Sequence, residues 1–274
     1  MEWFELWKAL LLGLVEGMTE FAPVSSTGHM IIFDDLWLQT KEFLGAPSAN
    51  TFKIVIQLGS ILAVVVVMWR RILSLLGVGV PVREMGTHFN LGHVIAGIIP
   101  AGVFGVLFED FIDDHLFSIE TVIVGLVIGA VLMLVADKFG PRRPRITSLD
   151  QLTYGKAFQI GIMQCLSLWP GFSRSGATIS GGVLLGLDHK TAADFTFIMA
   201  VPIMAGASGL SLFKNWDAIQ ADHFMFYAVG FVSAFVFALI SIKFFLALIS
   251  RVKLTPFAVY RLVVAAVLAW IVFL

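Results

Sequence analysis

Six runs of this chain are apolar enough and long enough to cross a lipid bilayer as helices: 52–69, 92–108, 119–136, 194–213, 224–248 and 256–274. Roughly 20 mostly apolar residues span the hydrocarbon core. Two further apolar regions, 8–33 and 155–187, are interrupted near their middles. Glu16, Glu20, Pro23 and Gly28 break the first; Pro170, Gly171, Arg174 and Gly176 break the second. Pro removes an amide donor and Gly loosens a helix, so each region is expected to fold as a helix–break–helix hairpin. Irregular backbone at membrane depth is tolerated only where it is buried in protein or lines a wet cavity. Only 14% of the chain is charged, against about 25% in a soluble domain, which excludes an ordinary cytosolic enzyme and a disordered tail. A net charge of −1 gives no field for a polyanion, so nucleic acid is excluded as a partner.

The few charges orient the chain. Basic loops face the cytoplasm: 70–90 with Arg70, Arg71 and Arg83; 137–156 with Lys138, Arg142, Arg143, Arg145 and Lys156; and the turns at Lys190 and at Lys243, Arg251 and Lys253. The 109–120 loop carries Glu109, Asp110, Asp113, Asp114 and Glu120 without Lys or Arg, so it is expected outside, with 34–50 and 214–223. Region 155–187 then begins and ends on one side and must be re-entrant. The N-terminal hairpin returns likewise if the N-terminus is outside. Glu2 and Glu5 stand where a signal peptide would be basic, so the first segment is expected to stay in the mature protein. The single Cys165 excludes an intrachain disulfide. Lys53 is expected to snorkel outward, and Arg261 to reach the cytoplasmic face from the last helix.

The two broken regions are similar at an offset of 148 residues. Gly13 matches Gly161, Glu16 matches Gln164, Thr19 matches Ser167, Phe21 matches Trp169, Ser25 matches Ser173, Thr27 matches Ser175 and Gly28 matches Gly176. The expected architecture is an all-α polytopic membrane protein with six spanning helices and two re-entrant broken-helix hairpins in an inverted-topology repeat. One membrane domain covers 1–274, with repeat one at about 1–136, a basic cytoplasmic linker at 137–154 and repeat two at about 155–274.

Chemistry concentrates at the breaks. Glu16 and Glu20, four apart, share a helix face. Such a pair suits a divalent cation, Mg²⁺ or Ca²⁺; alternatively it lies at a wet boundary or pairs with Arg174. Ser25, Ser26 and Thr27 stand where a new helix starts, either as a plain cap or as an anion site. His29 beside them can act as a general acid or base. Arg174 can bind phosphate bidentately, with Ser173, Ser175 and Thr178 around it, or pair with a Glu. Broken helices with midplane charges also describe transporters, to which His29 beside Ser26 and the Glu pair would be superfluous.

The segments EGMTEFAPVSSTGH at Glu16–His29, PGFSRSGAT at Pro170–Thr178 and IQLGSI at Ile56–Ile61 resemble signatures of the bacterial undecaprenyl-pyrophosphate phosphatase family, also named for bacitracin resistance. The resemblance extends over nearly the whole chain. It implies a multi-pass hydrolase of the bacterial plasma membrane, opening to the extracytoplasmic side. Its reaction would convert undecaprenyl pyrophosphate to the monophosphate lipid carrier, for peptidoglycan synthesis. It also implies a divalent-cation requirement and bacitracin resistance, with a homodimer as one possible state. By resemblance, Ser26 is the nucleophile, His29 its proton-transfer partner, Glu16 and Glu20 the metal ligands, and Arg174 the phosphate binder. Ser173, Ser175, Thr178, Ser25 and Thr27 would line the pocket. Lys53 departs from the Glu that many relatives carry there.

Overall fold

The structure is a computed structural model and describes residues 3–78, 88–116, 118–214 and 221–273. Glu2, Arg83 and most of the 214–223 loop lie outside the described residues. The helices run α1 (Trp3–Thr19), α2 (Ser26–Met30), α3 (Thr40–Leu44), α4 (Ala46–Val67), α5 (Trp69–Leu75), α6 (Leu91–Leu107), α7 (Glu109–Leu116), α8 (Ile119–Phe139), α9 (Tyr154–Cys165), α10 (Arg174–Leu184), α11 (His189–Lys214), α12 (Phe224–Val252) and α13 (Thr255–Phe273). Between α2 and α3 the chain widens into a π-helix, Ile31–Leu38. The described residues contain no named strand, only an isolated bridge from Ile146 to Leu187.

Among the described residues five helices, α4, α8, α11, α12 and α13, are long and apolar enough to cross a bilayer. The number is six if α6 and the helix after it, bent by 68°, count as one span. The protein is therefore an all-α, multi-pass membrane protein, as its apolar pattern requires. Large side chains such as Val106, Leu107, Phe213 and Phe244 face outward, as a lipid-facing surface demands. The helix expected at 52–69 begins earlier, because Pro47 suits a first helical turn and the polar Ser48 and Thr51 are buried against the protein.

Both broken regions fold as helix–break–helix. In the first, α1 ends at Thr19 and α2 starts at Ser26; in the second, α9 ends at Cys165, a short 3₁₀ turn follows, and α10 starts at Arg174. Each outer arm crosses a neighbour through glycine. A Cβ on Gly13 of α1 would collide with the carbonyl oxygen of Gly230 on α12, and a Cβ on Gly161 of α9 would collide with that of Gly97 on α6. These close approaches seat α1 directly on α12 and α9 directly on α6.

Candidate active site

Each break is closed by a serine in an unusual conformation. Ser25 has φ 71° and Ser173 φ 73°, a region that L-residues adopt at a cost of about 1–3 kcal/mol. Each serine caps the helix that follows: Ser25 Oγ accepts from Gly28 N at 3.3 Å and Ser173 Oγ from Gly176 N at 3.2 Å. The first helical residues after these caps are Ser26 and Arg174, and the two helices present them toward one another.

A continuous line of polar contacts joins the breaks. Ser26 Oγ donates to Glu20 Oε2 at 2.6 Å, and Arg174 Nη2 donates to Glu20 Oε1 at 2.9 Å. Ser175 Oγ donates to the Ala22 carbonyl at 3.1 Å. The Glu20 and Arg174 side chains are only 11% and 14% exposed. Arg174 Nη1 is buried and has no partner among the described residues, and the same holds for Glu16 Oε1. The site thus holds a spare guanidinium donor and a spare carboxylate oxygen, both desolvated. Such groups are costly to leave unmatched, and each matches part of a phosphate–cation complex.

Two cavities meet here. One, about 290 Å³, is lined by Glu20, Ser26, Ser173 and Arg174. The other, about 470 Å³, is lined by Glu16 and Ser26 at one end and by Asp35, Lys41, Asn50 and Ser118 at the other, with apolar Met30, Ile31, Ile56 and Val122 between. Ser26, Thr27 and Gln57 border both. Gln57 belongs to the IQLGSI segment that carries the resemblance, and its place between the two cavities depends on contacts that no local spacing signals.

Several expected site residues face elsewhere. His29 is 5% exposed and lines neither cavity. Its Nδ1 lies 2.8 Å from the Ser25 carbonyl oxygen and its Nε2 2.7 Å from the Tyr260 hydroxyl. The hydroxyl of Ser26 is thus bonded to Glu20, where the sequence pairs it with His29. Ser25 Oγ caps α2, and Ser25 also borders the smaller cavity, as expected. Ser175 and Thr178 are buried and outside the lining: Ser175 braces Ala22, while Thr178 donates to the Arg174 carbonyl at 2.8 Å and accepts from Thr196 at 2.8 Å. These two hold the Arg174 helix. Ser173 and Thr27 do border the cavities.

Two charged residues differ from expectation. Lys53 does not snorkel outward; its Nζ pairs with Asp34 at 3.1 Å and Asp35 at 3.0 Å, because the π-helix turns both carboxylates toward α4. Arg261 does not reach a surface. It is fully buried and donates to the Gly125 and Gly171 carbonyls.

Residues 9–267 match the family described as bacitracin resistance protein BacA. A curated protein of Exiguobacterium sibiricum named undecaprenyl-diphosphatase is 66% identical over 98% of this chain and 99% of its own. Proteins of the same name from Geobacillus kaustophilus and Geobacillus thermodenitrificans are 65% and 62% identical, each over the full length of both chains.

Proposed function

The chain belongs to the bacitracin resistance protein BacA family and is an undecaprenyl-diphosphatase, and on that premise we propose that Ser26, Glu20 and Arg174 carry out the hydrolysis. The protein removes the terminal phosphate of undecaprenyl pyrophosphate and returns the lipid monophosphate to peptidoglycan synthesis. The observation that carries the mechanism is the line Ser26–Glu20–Arg174, closed at 2.6 and 2.9 Å.

The terminal phosphate enters beside Arg174, whose unpartnered Nη1 and forked geometry suit phosphate oxygens. Arg174 exchanges Glu20 for phosphate, which leaves Glu20 free to accept the Ser26 proton. Ser26 Oγ forms a bond to the terminal phosphorus as the bridging P–O bond breaks, and undecaprenyl monophosphate departs. Glu20 passes the Ser26 proton to the departing monophosphate; water, deprotonated by Glu20, then attacks the phosphoserine, the P–Oγ bond breaks, Ser26 Oγ takes the proton back from Glu20, and inorganic phosphate is released. In this reading His29 holds α2 in place and takes no proton from Ser26.

Glu16 and Glu20 fit a divalent cation, since Glu16 offers a buried oxygen without a protein partner and hard cations favour carboxylates. Among the described residues no group of three or more His, Cys, Asp or Glu could hold a metal alone; Mg²⁺ commonly uses one or two carboxylates with substrate phosphate and water. When bound, the cation would supply positive charge beside the phosphate oxygens.

We place the opening on the extracytoplasmic side of the bacterial plasma membrane. The larger cavity ends at Asp35, Lys41, Asn50 and Ser118, in loops whose charge puts them outside. The far end of α8 carries Lys138, beside Arg142, Lys190 and Lys253, the basic side. We read the two halves as an inverted repeat, supported by the paired serine caps and the paired glycine crossings.

Phosphate release from undecaprenyl pyrophosphate in detergent tests the reading. Glu20→Gln should lower turnover about 100-fold, and Glu16→Gln should raise the metal concentration needed for half-maximal activity. Normal turnover in Glu20→Gln would remove Glu20 as the base, and an unchanged metal titration in both variants would remove the metal site.

A further inference from the structure

Arg261 is the costliest side chain that this mechanism leaves unused. It sits fully buried on α13. Its Nη2 donates to the Gly171 carbonyl at 2.9 Å and the Gly125 carbonyl at 3.2 Å, and Nη1 lies 3.6 Å from Met133 Sδ. Its Nε has no partner, and it makes no ion pair among the described residues. A buried cation without a counterion is expensive, and an apolar side chain of similar volume would serve folding as well or better.

The surrounding chain is cut away for it. A Cβ on Gly176 of α10 would lie 2.9 Å from its Nη1, and a Cβ on Gly129 of α8 would collide with its Nη2. Its main acceptor, Gly171, has φ 87° and stands three residues before Arg174. The guanidinium therefore fixes the peptide plane from which the second break turns into α10.

The preceding residue holds the other break. The rings of Tyr260 and His29 are 5.6 Å apart and nearly parallel, at 10°. The Ser25 carbonyl oxygen can only accept, so His29 Nδ1 carries a proton, and in the neutral imidazole Nε2 accepts from the Tyr260 hydroxyl. The contact runs from Tyr260 through His29 to the Ser25 carbonyl, the residue before Ser26. Successive helical side chains diverge by about 100°, which lets two neighbours on α13 reach two different breaks.

We propose that α13 is the clamp that sets the nucleophile against the phosphate-binding group, with Arg261 as the positioning residue for Arg174 and Tyr260 as the positioning residue for Ser26. The inference rests on the reading of Ser26 and Arg174 as the reacting pair.

The test is a set of kcat and KM measurements on purified protein in detergent. The variants are Arg261→Lys and Tyr260→Phe, each alone and combined with Arg174→Lys. Arg261→Lys should lower kcat about 30-fold with KM little changed. On the Arg174→Lys background the further loss should be below about three-fold, because the group it positions has already been altered. Tyr260→Phe should lower kcat about five-fold and multiply in full with Arg174→Lys, since it acts on the other break. Normal kcat in Arg261→Lys, or a loss that multiplies in full with Arg174→Lys, overturns the Arg261 assignment, since a general loss of folded protein multiplies in that way. If Arg261→Lys does not fold, Arg261→Gln, which keeps a donor for Gly171 without a buried charge, enters the same cycle. Tyr260 is half exposed, and its loss of one oxygen leaves packing intact, so normal kcat in Tyr260→Phe overturns its half of the clamp. If Arg174→Lys alone is fully active, the reading of the site has failed and not the clamp.

Discussion

At Ser25 and Ser173 the backbone takes the same rare turn, and the residue after each turn opens a helix. At the first break that residue is Ser26; at the second, 148 positions later, it is Arg174. Nine residues before each serine, Glu16 and Gln164 likewise correspond, and each buries an Oε1 without a partner among the described residues. The two regions thus share a backbone and differ in what they carry. One holds a serine hydroxyl and two carboxylates, the other a cation and an amide. Because the breaks face each other, opposite charges meet across the contact, as in Glu20–Arg174. In the proposed mechanism a single strained backbone device, used twice, serves attack on one side and phosphate binding on the other.

This difference can be broken by substitution. The largest effect is expected for Ser26→Ala, about a thousand-fold or more in kcat with the fold retained, since the attacking oxygen is gone. Arg174→Lys should lose about 100-fold, because a point charge cannot replace the planar fork; steady-state phosphate release reads both. Gly161→Ala should lower stability by about 1–3 kcal/mol, since its Cβ would strike the Gly97 carbonyl, and Gly13→Ala should act alike through Gly230. Thermal unfolding in detergent measures this, and a large loss at one crossing only would show that the arms are not equivalent. The smallest effect is expected at the caps. Ser25→Ala and Ser173→Ala should each lower stability by about 1 kcal/mol, and their near equality is the sharpest sign of a shared backbone.

The sequence made the breaks legible because Pro, Gly and ionised side chains are conspicuous within apolar runs. The correspondence of Ser25 with Ser173 and of Gly13 with Gly161 was visible for the same reason. What it hid were partners distant in the chain. His29 meets Tyr260 across 231 positions and Arg261 meets Gly171 across 90, and no local spacing signals either contact. Lys53 misled for a related reason. Its nearness to a helix start suggests an exposed ammonium, but the π-helical turn after Met30 brings Asp34 and Asp35 to it. Ser26 and Arg174 were legible as chemistry, while the bond of Ser26 to Glu20 depended on how α2 emerges from the break.

The most direct test of Ser26 as the attacking group is the stereochemistry of phosphoryl transfer. An analogue of undecaprenyl pyrophosphate with a terminal phosphorothioate, made chiral at that phosphorus with ¹⁸O, would be hydrolysed in ¹⁷O-water in detergent by the unaltered protein, and the configuration of the released inorganic thiophosphate measured. Two successive in-line displacements, first by Ser26 and then by water, predict net retention. Net inversion would mean that water attacks the substrate directly, and would contradict a phosphoserine at Ser26.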